Sequence, residues 1–483
     1  MALSISAEDF GSKKYIQGIW RTARINGKNL IVSEHGKWVI LDDDELEKLN
    51  SYELQANGRL FRLLEDKGII LTRDNPERVQ EYLHEKLGFL FNGVSLHIVV
   101  LTNRCNHKCI YCHASSKGAE KLELDMKKST AKKTVDFIFQ TPSKGMTIEF
   151  QGGEPLLNFD VLKFIVEYAR EKNGAFGKEL RFSVVTNLEA MDDEKLDFLA
   201  KNDVSVCTSI DGPEEIHNFN RRPENKKLNS YRNAAEWIGR IQKRYSDEGK
   251  AEKVNALVTA TRPALGKWKE IVDTYVSNGL SNVHLRPLNC LGFSKSNWEK
   301  IGYSAEEFIE FWKRGVDYII ELSKKGKKIH ERTVSTILSK ILENSDPNYL
   351  DLRSPCGACI GMLAYNYDGS IYSCDEGRSV PGEIFRIGKV SQKYNDVVGC
   401  DKSCAIMGSS VNDCTPCDDC VWKPYCGICP VFNFAETNSL LKPPLNEDFR
   451  CKINYAQFEY VFEKLMDEDF QKMISSGFSP KSC

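Results

Sequence analysis

The stretch TNRCNHKCIYCHAS, residues 102–115, directly follows an apolar, strand-like run, SLHIVVLT. It holds three cysteines in a CxxxCxxC pattern, Cys105, Cys109 and Cys112. A structural zinc site is normally closed by four ligands, whereas a four-iron cluster held by three thiolates keeps one iron open for a small molecule. The number of thiols and their place after a strand therefore favour an iron-sulfur site.

Six apolar runs lie between Ser95 and Leu288; the first leads into the cysteine stretch and the other five follow it. They are SLHIVVLT, MTIEFQGG, LRFSVVTN, VSVCTSIDG, KVNALVTA and NVHLRPL. The segments between them show helical spacing, and a helical crossover joins strands that run parallel. The pattern predicts an α/β fold with a partial (β/α)6 barrel over residues 94–300, whose site lies at the carboxyl ends of the strands.

The region before the barrel, residues 1–93, is predicted to be a winged-helix-like recognition module. Its stretch RINGKNLIVSEHGKWVIL, residues 24–41, contains apolar runs broken by Asn-Gly and His-Gly pairs. Such pairs are typical of tight turns between antiparallel strands. Helical patterns follow, as in LFRLLEDKGI.

Two further regions follow the barrel. Residues 301–350 are predicted to form a helical bridge, because Ser304 and Glu307 make a capping box before an amphipathic run. In residues 351–483 the periodicity disappears and cysteine, glycine and proline become frequent. This composition predicts a loop-rich domain in which metal clusters replace a hydrophobic core.

Composition limits the classes of function. The chain has 483 residues, with 66 Lys and Arg against 68 Asp and Glu, so no strong single-sign field is available for nucleic acid or an anionic membrane. Neither a signal sequence at the start nor an apolar run of bilayer length is found, which predicts a cytoplasmic protein. Its 17 cysteines then favour metal binding over disulfides.

The cysteine stretch, with Tyr111 before its last cysteine, resembles the radical S-adenosylmethionine (SAM) superfamily, whose open iron binds SAM. The QGGEP run at residues 151–155 matches the GGEP motif of that family. The resemblance implies one 4Fe-4S cluster and a SAM site formed by residues at strand ends, namely Gly152, Gly153, Glu154, Thr186, Asn187, Ser209 and Arg221. A zinc site completed by His107 or His113 is the alternative.

The resemblance also implies individual roles in the SAM site. The two glycines let the backbone approach SAM, Glu154 accepts from its ammonium group, and Arg221 pairs with its carboxylate. Taken singly, each of these residues is also common in turns and at helix starts that bind no ligand. Asp211 is predicted only to cap a turn. Arg286 could either reach the mouth of the site or form a salt bridge at its rim, so it is left out of the core site.

The cysteines of the last region resemble the SPASM extension of radical SAM peptide-modifying enzymes, which holds two auxiliary 4Fe-4S clusters. The implied inner ligands are Cys356, Cys359, Cys374 and Cys429, and the implied outer ligands are Cys417, Cys420, Cys426 and Cys451. Two residues separate Cys426 from Cys429 where the family more often has three, so Cys414 is the alternative to Cys429. Cys400 and Cys404 fit neither set, and two structural zinc ions are the alternative to the clusters.

The resemblance implies reductive cleavage of SAM to a 5'-deoxyadenosyl radical, followed by oxidation or cross-linking of a ribosomally made peptide. Three 4Fe-4S clusters, a precursor peptide and an electron donor such as flavodoxin or ferredoxin are implied, with Asp375 as catalytic base. The overall arrangement is most similar to the maturases of His-Xaa-Ser systems, in which the first module holds the leader peptide. The alternatives are a formylglycine-forming sulfatase maturase and a non-catalytic, cysteine-rich metal-binding redox partner.

Overall fold

The structure is a computed structural model that describes residues 14–250, 254–347, 352–411, 415–441 and 448–475. Five strands and three helices form its first region. The strands β1 to β5 are Ile16–Gln17, Trp20–Ile25, Lys28–Ser33, Trp38–Leu41 and Ile70–Leu71. The helices α1 to α3 are Asp43–Asn50, Arg59–Asp66 and Pro76–Leu87.

Strands β2, β3 and β4 form an antiparallel meander, which confirms the antiparallel strands expected from residues 24–41. Asn26 and Gly27 turn the chain between β2 and β3 with φ angles of 46° and 77°, the left-handed conformation that such a turn requires. Strand β3 is buried on both faces. Its Ile31 packs into the core of this module, while Leu30 and Val32 join the main core of the protein.

The main sheet has nine strands. Six of them come from the apolar runs of the sequence and run parallel to one another in the order β14-β12-β11-β10-β9-β6. These six strands are β6 Leu96–Thr102, β9 Gly145–Gly152, β10 Glu179–Val185, β11 Val204–Ser209, β12 Val254–Thr259 and β14 Leu285–Arg286. Short strands between them are β7 Arg104–Cys105, β8 Lys117–Gly118 and β13 Asn282–Val283. All six apolar runs of the sequence therefore contribute parallel strands.

Helices connect the parallel strands, as the sequence spacing predicts. They are α4 Lys128–Ile138, α5 Phe159–Phe176, α6 Asp193–Lys201, α7 Glu214–Asn220, α8 Ser230–Asp247 and α9 Trp268–Ser277. Their apolar faces pack on the sheet because residues three and four apart share one side of a helix. In α5, for example, Leu162, Ile165 and Val166 are fully buried.

The predicted bridge contains the long helix α12, after short helices α10 and α11. These helices are α10 Phe293–Ser296, α11 Trp298–Ile301, α12 Ala305–Lys324 and α13 Arg332–Leu342, and strand β15 is His330–Glu331. Helix α12 begins with the expected capping box, in which Ser304 and Glu307 bond each other's backbone N–H. Helix α13 ends at Leu342.

The cysteine-rich region is less separate from the barrel than the sequence suggests. Its strands are β16 Met362–Tyr365, β17 Ser370–Tyr372 and β18 Arg386–Lys389, and its helices are α14 Tyr394–Val398, α15 Asp401–Ser409, α16 Pro430–Thr437, α17 Phe449–Leu465 and α18 Glu468–Ser475. Strand β16 pairs in parallel with β6, and β17 and β18 extend the same sheet. The short buried run of β16 thus carries the main sheet past the predicted boundary.

None of the helices that the structure describes is both long enough and apolar enough to span a bilayer.

Candidate active site

The three cysteines of residues 102–115 lie in the loop that follows β6, at the carboxyl end of the sheet. The loop is held by its backbone, since Ile110 N–H donates to Asn220 O at 2.9 Å and Phe293 N–H donates to Cys112 O at 2.9 Å. Burial, and the neighbouring Cys112 thiol, raise the pKa of Cys109 to about 11 against the opposing effect of a nearby arginine. Thiols of this kind ionise when a metal replaces their protons, which fits a cluster site.

The two glycines of the QGGEP run approach the cysteine loop itself. A Cβ on Gly152 would collide with the carbonyl oxygen of Thr102, and one on Gly153 would collide with that of Arg104. Gly153 N–H also donates to Thr102 O at 2.8 Å. Their lack of side chains therefore positions the loop, whereas the sequence suggested only a close approach to SAM. Both glycines also line the cavity described below.

Glu154 is fully buried and joins two strand ends. Its carboxylate accepts from Thr186 Oγ at 2.7 Å, from Asn187 N–H at 2.8 Å and from Leu156 N–H at 3.0 Å. Burial raises its pKa to about 7, although these bonds favour the charged form. The carboxylate thus connects two strand ends, and Glu154 is not among the described residues that line the cavity. Its role as acceptor of an ammonium group stays a prediction.

Arg221 belongs to a buried polar chain beneath the cysteines. Its Nη1 donates to the Tyr111 hydroxyl at 2.8 Å, which donates in turn to Asp211 Oδ2 at 2.6 Å. Asp211 also accepts from the Asn220 amide at 3.0 Å and from Thr259 N–H at 3.2 Å. Asp211, predicted only to cap a turn, therefore fixes the arginine and the tyrosine.

Asp375 is held from both sides. Its Oδ2 lies 3.1 Å from His113 Nε2, and its Oδ1 accepts from Arg378 Nε at 2.6 Å. Burial raises the pKa of Asp375, but Arg378 and His113 outweigh burial and leave this pKa below its usual value. The carboxylate is therefore charged and well placed to orient a donor, yet it is a weak proton acceptor.

These groups surround one cavity of about 520 Å³ at the carboxyl end of the parallel strands. Its lining includes the three loop cysteines and six of the other predicted site residues: Gly152, Gly153, Thr186, Asn187, Ser209 and Arg221. Asp375 lines it as well. The two imidazoles of the zinc alternative are directed at carboxylates, because His107 pairs with Glu189 and His113 pairs with Asp375.

The cysteine-rich region surrounds a second, smaller cavity of about 110 Å³. Seven of its predicted ligands line it: Cys356, Cys374, Cys417, Cys420, Cys426, Cys429 and Cys451. Cys359 is buried elsewhere, and Cys414 lies outside the described residues. Among the residues that the structure describes, no three His, Cys, Asp or Glu side chains converge closely enough to hold a single metal ion.

A shared wall separates the two cavities. Six residues line both of them: His284, Arg286, Pro287, Arg332, Thr336 and Glu376. Arg286 Nη2 lies 3.5 Å from Glu376 Oε1 across this wall. Arg332 and Glu376 were missed in the sequence, where neither belongs to a motif. Only the position of Glu376 two residues after Cys374 could have indicated it.

Residues 99–248 match the sequence model of the radical SAM superfamily, so the chain contains a radical SAM domain. The cysteine-type anaerobic sulfatase-maturating enzyme of Clostridium perfringens (strain 13 / Type A) is 25% identical over 387 residues, which cover 77% of this chain and 98% of that enzyme.

Solved structures share the fold. The structure of anSMEcpe with bound AdoMet has a TM-score of 0.65 and 22% identity, covering 79% of this chain and all of that one. Streptococcus suis SuiB bound to the precursor peptide SuiA has a TM-score of 0.53 and 15% identity, covering 88% of this chain and 98% of that one. The resemblance to radical SAM enzymes of the sulfatase-maturase type therefore extends well beyond the matched domain.

Proposed function

We propose that this chain is a radical SAM enzyme that oxidatively modifies side chains of a ribosomally made peptide. The observation that carries the proposal is the shared cavity, in which Cys105, Cys109 and Cys112 face the polar ends of the parallel strands. Ligand sites of barrel enzymes are built at this end. The second cavity shares a wall with this one and is lined by seven cysteines, which supports a further metal-binding region beside the same space.

In this proposal the three thiolates hold a 4Fe-4S cluster whose open iron binds SAM. When bound and reduced, these two cofactors supply a 5'-deoxyadenosyl radical that removes a hydrogen atom from the substrate. Thr186, Asn187 and Ser209 hold SAM by hydrogen bonds, and the Arg221 guanidinium neutralises its carboxylate. Two clusters in the cysteine-rich region supply an acceptor for the second electron, which makes the change a two-electron oxidation.

A peptide substrate is supported by the fold. SuiB, whose structure was solved with a precursor peptide, aligns with 88% of this chain, a span that includes more than the barrel. The module of β1 to β5 is proposed to bind the leader by adding it as a strand. Cross-linking in a His-Xaa-Ser peptide is the particular reaction that the sequence implies.

Formylglycine formation in a sulfatase is the second candidate. It is favoured by the likeness to the C. perfringens maturase over almost its whole length and by Asp375, which follows Cys374 and faces the cavity. The bonds from Arg378 and His113 reduce the basicity of this carboxylate, so in this chain it suits orientation of the substrate better than proton removal.

The first test is anaerobic reconstitution followed by SAM and dithionite. The wild type is expected to form 5'-deoxyadenosine and to hold about twelve irons, as three four-iron clusters require. A variant with Cys105, Cys109 and Cys112 changed to Ala should lose the product and about a third of the iron. Cys290→Ala, which removes a thiol outside both cavities, is the matched control.

Zinc in place of iron, with intact SAM, would contradict the proposal and revive the non-catalytic metal-binding partner. The two catalytic candidates are separated by the product. A cross-link and a formylglycine made from Ser both remove two hydrogens, so mass alone does not distinguish them. Reaction with a hydrazide detects the aldehyde, and fragmentation across the modified residues detects the cross-link.

The electron donor is proposed to be flavodoxin or ferredoxin in the cytoplasm. Either carrier delivers one electron at a time, as reductive cleavage of SAM requires. Replacing dithionite by reduced flavodoxin in the same assay tests this part. Formation of 5'-deoxyadenosine with dithionite, but with neither reduced flavodoxin nor reduced ferredoxin, would argue against these donors.

A further inference from the structure

The predicted inner cysteines do not share one environment. Cys356, Cys374 and Cys429 line the second cavity, and Cys359 is not among the described residues that line it. The Cys359 thiol instead lies beside Ser403, with Cys400 and Cys404 nearby. Cys400 Sγ is itself 3.4 Å from Ser403 Oγ.

The backbone holds Cys359 in this orientation. Its φ of 63° is in the left-handed region, which a side chain disfavours, and its N–H donates to Ser373 O at 3.1 Å. The chain thus passes next to Cys374 while the Cys359 side chain is directed to the start of helix α15. Ser403 and Cys404 belong to that helix, and Cys400 immediately precedes it.

The second cavity contains a carboxylate in addition to the three inner thiols. Glu376 lines the second cavity together with Cys356, Cys374 and Cys429, and its side chain is only 13% exposed. It is the acidic side chain that lines both this cavity and the first one. On the other side of Cys374, the Gly377 N–H donates to the sulfur at 3.2 Å, as suits a metal-bound thiolate.

We propose that Glu376, and not Cys359, completes the inner set with Cys356, Cys374 and Cys429 as a carboxylate ligand of an iron-sulfur cluster. The proposal rests on the presence of that cluster in the proposed function. Carboxylate oxygen is a harder ligand than thiolate sulfur and suits iron less well, so this iron is the exchangeable one. Glu376 lies on the wall shared with the first cavity, so in this proposal the iron that it binds faces the substrate.

The test compares three variants of the full-length reconstituted protein: Cys356→Ala, Cys359→Ala and Glu376→Gln. Iron is counted per chain, and Mössbauer spectra are recorded without SAM or substrate. The wild type and Cys359→Ala are expected to hold about twelve irons, and Cys356→Ala about eight. Glu376→Gln should keep nearly all its iron but alter the spectrum of one site in the inner cluster.

A further variant, Glu376→Cys, should restore a four-thiolate spectrum, and Ser403→Ala is the control beside Cys359. If Cys359→Ala loses as much iron as Cys356→Ala, Cys359 is the ligand and the proposal is overturned. An unchanged spectrum in Glu376→Gln overturns it too, as does loss of the inner cluster in Cys414→Ala. A wild type with only about four irons overturns both this ligand set and the cluster count of the proposed function.

Full iron without 5'-deoxyadenosine contradicts the proposed function alone. In that case the ligand set is still decided by the iron counts and spectra of the variants. The two proposals therefore fail by different measurements.

Discussion

The two cysteine-lined cavities are assembled in opposite ways. The first takes its thiols from residues 105–112, a single loop whose backbone is bonded to neighbouring strand ends. The second takes its thiols from residues 356–451, which are separated by strands and helices of the same region. The first is thus defined by local sequence, whereas the second depends on packing between distant segments.

The packing of the second cavity involves the first module of the chain. Arg21 donates to the carbonyl oxygen of Asp418, and Lys423 Nζ lies 2.8 Å from the Asp418 carboxylate. The Tyr425 hydroxyl donates to Gly36 O at 2.7 Å. These contacts hold the loop of residues 417–429, which carries four of the seven cysteines, against the module. We infer that the module supports the loop that lines the second cavity.

The largest effect that we predict is a loss of activity at the first cavity that leaves the second cavity intact. Asp211→Asn removes the negative charge that holds Tyr111 and Arg221, and displacement of a positioning group by about 1 Å can cost roughly 100-fold in rate. Formation of 5'-deoxyadenosine should fall by about this factor, while the iron of the second cavity is retained. The measurement is 5'-deoxyadenosine per minute together with iron per chain.

Asp193→Asn is the matched control for this variant, because Asp193 pairs with Arg240 on the surface. Equal rates in the two Asn variants would show that the chain from Asp211 to Arg221 has no part in SAM cleavage. Loss of iron from both cavities would show that Asp211 supports the whole fold, and the comparison between the cavities would then fail.

The second prediction concerns the segment between the cavities. Glu331 is buried and accepts from Val334 N–H at 2.8 Å and Leu285 N–H at 3.2 Å. Burial outweighs these bonds and raises its pKa from 4.5 to about 7. The folded state therefore binds this proton more tightly than the unfolded state, and the corresponding stability is lost as pH rises from about 5 to 7, by at most about 3 kcal/mol.

Glu331→Gln should remove that part of the pH dependence. The variant should also lose about 1 kcal/mol of stability, because the amide nitrogen of Gln cannot accept a hydrogen bond as the second carboxylate oxygen does. The measurement is the thermal midpoint of wild type and variant across this pH range. The exposed Glu321→Gln should keep the slope of the wild type. A wild-type midpoint that rises between pH 5 and 7, relative to Glu331→Gln, would contradict the assigned pKa.

The sequence predicted well what short-range patterns determine. The six parallel strands follow from alternating apolar and helical runs, and the capping box at Ser304 is visible in two residues. The cysteine loop and the polar strand ends were expected to meet, because parallel strands end at one edge of a sheet. These predictions need no knowledge of distant contacts.

Long-range packing explains what the sequence did not reveal. Asp211 resembles an ordinary turn residue, and only the structure shows that Tyr111 and Arg221 converge on it. The family resemblance implied Cys359 as an inner ligand, and nothing in the sequence indicated that its thiol lies beside Ser403 of helix α15. The pairing of β16 with β6 was also hidden, since a four-residue apolar run has no distinctive period.

The third prediction tests the support that the module gives to the second cavity. Tyr425→Phe leaves the buried Gly36 carbonyl without its hydroxyl donor, at a cost of about 1–2 kcal/mol. The loop should open more often, so iron of the second cavity should be lost faster to a chelator. The measurement is the rate of iron release, and Tyr318→Phe, whose hydroxyl donates to Asp273 outside both cavities, is the control. Faster release from the first cavity instead would reverse the assignment.

The smallest effect that we predict follows from a substitution in the first module, at a residue that lines neither cavity. Gly27 has a φ of 77° and open space around it, so Gly27→Ala adds no collision and costs only backbone strain of about 1 kcal/mol. The thermal midpoint should fall slightly, while iron content and 5'-deoxyadenosine formation stay as in the wild type. If this variant loses iron from the second cavity as readily as Tyr425→Phe, then the stability of the module as a whole supports the cysteines. If it does not, the direct contacts of the loop at residues 417–429 provide that support.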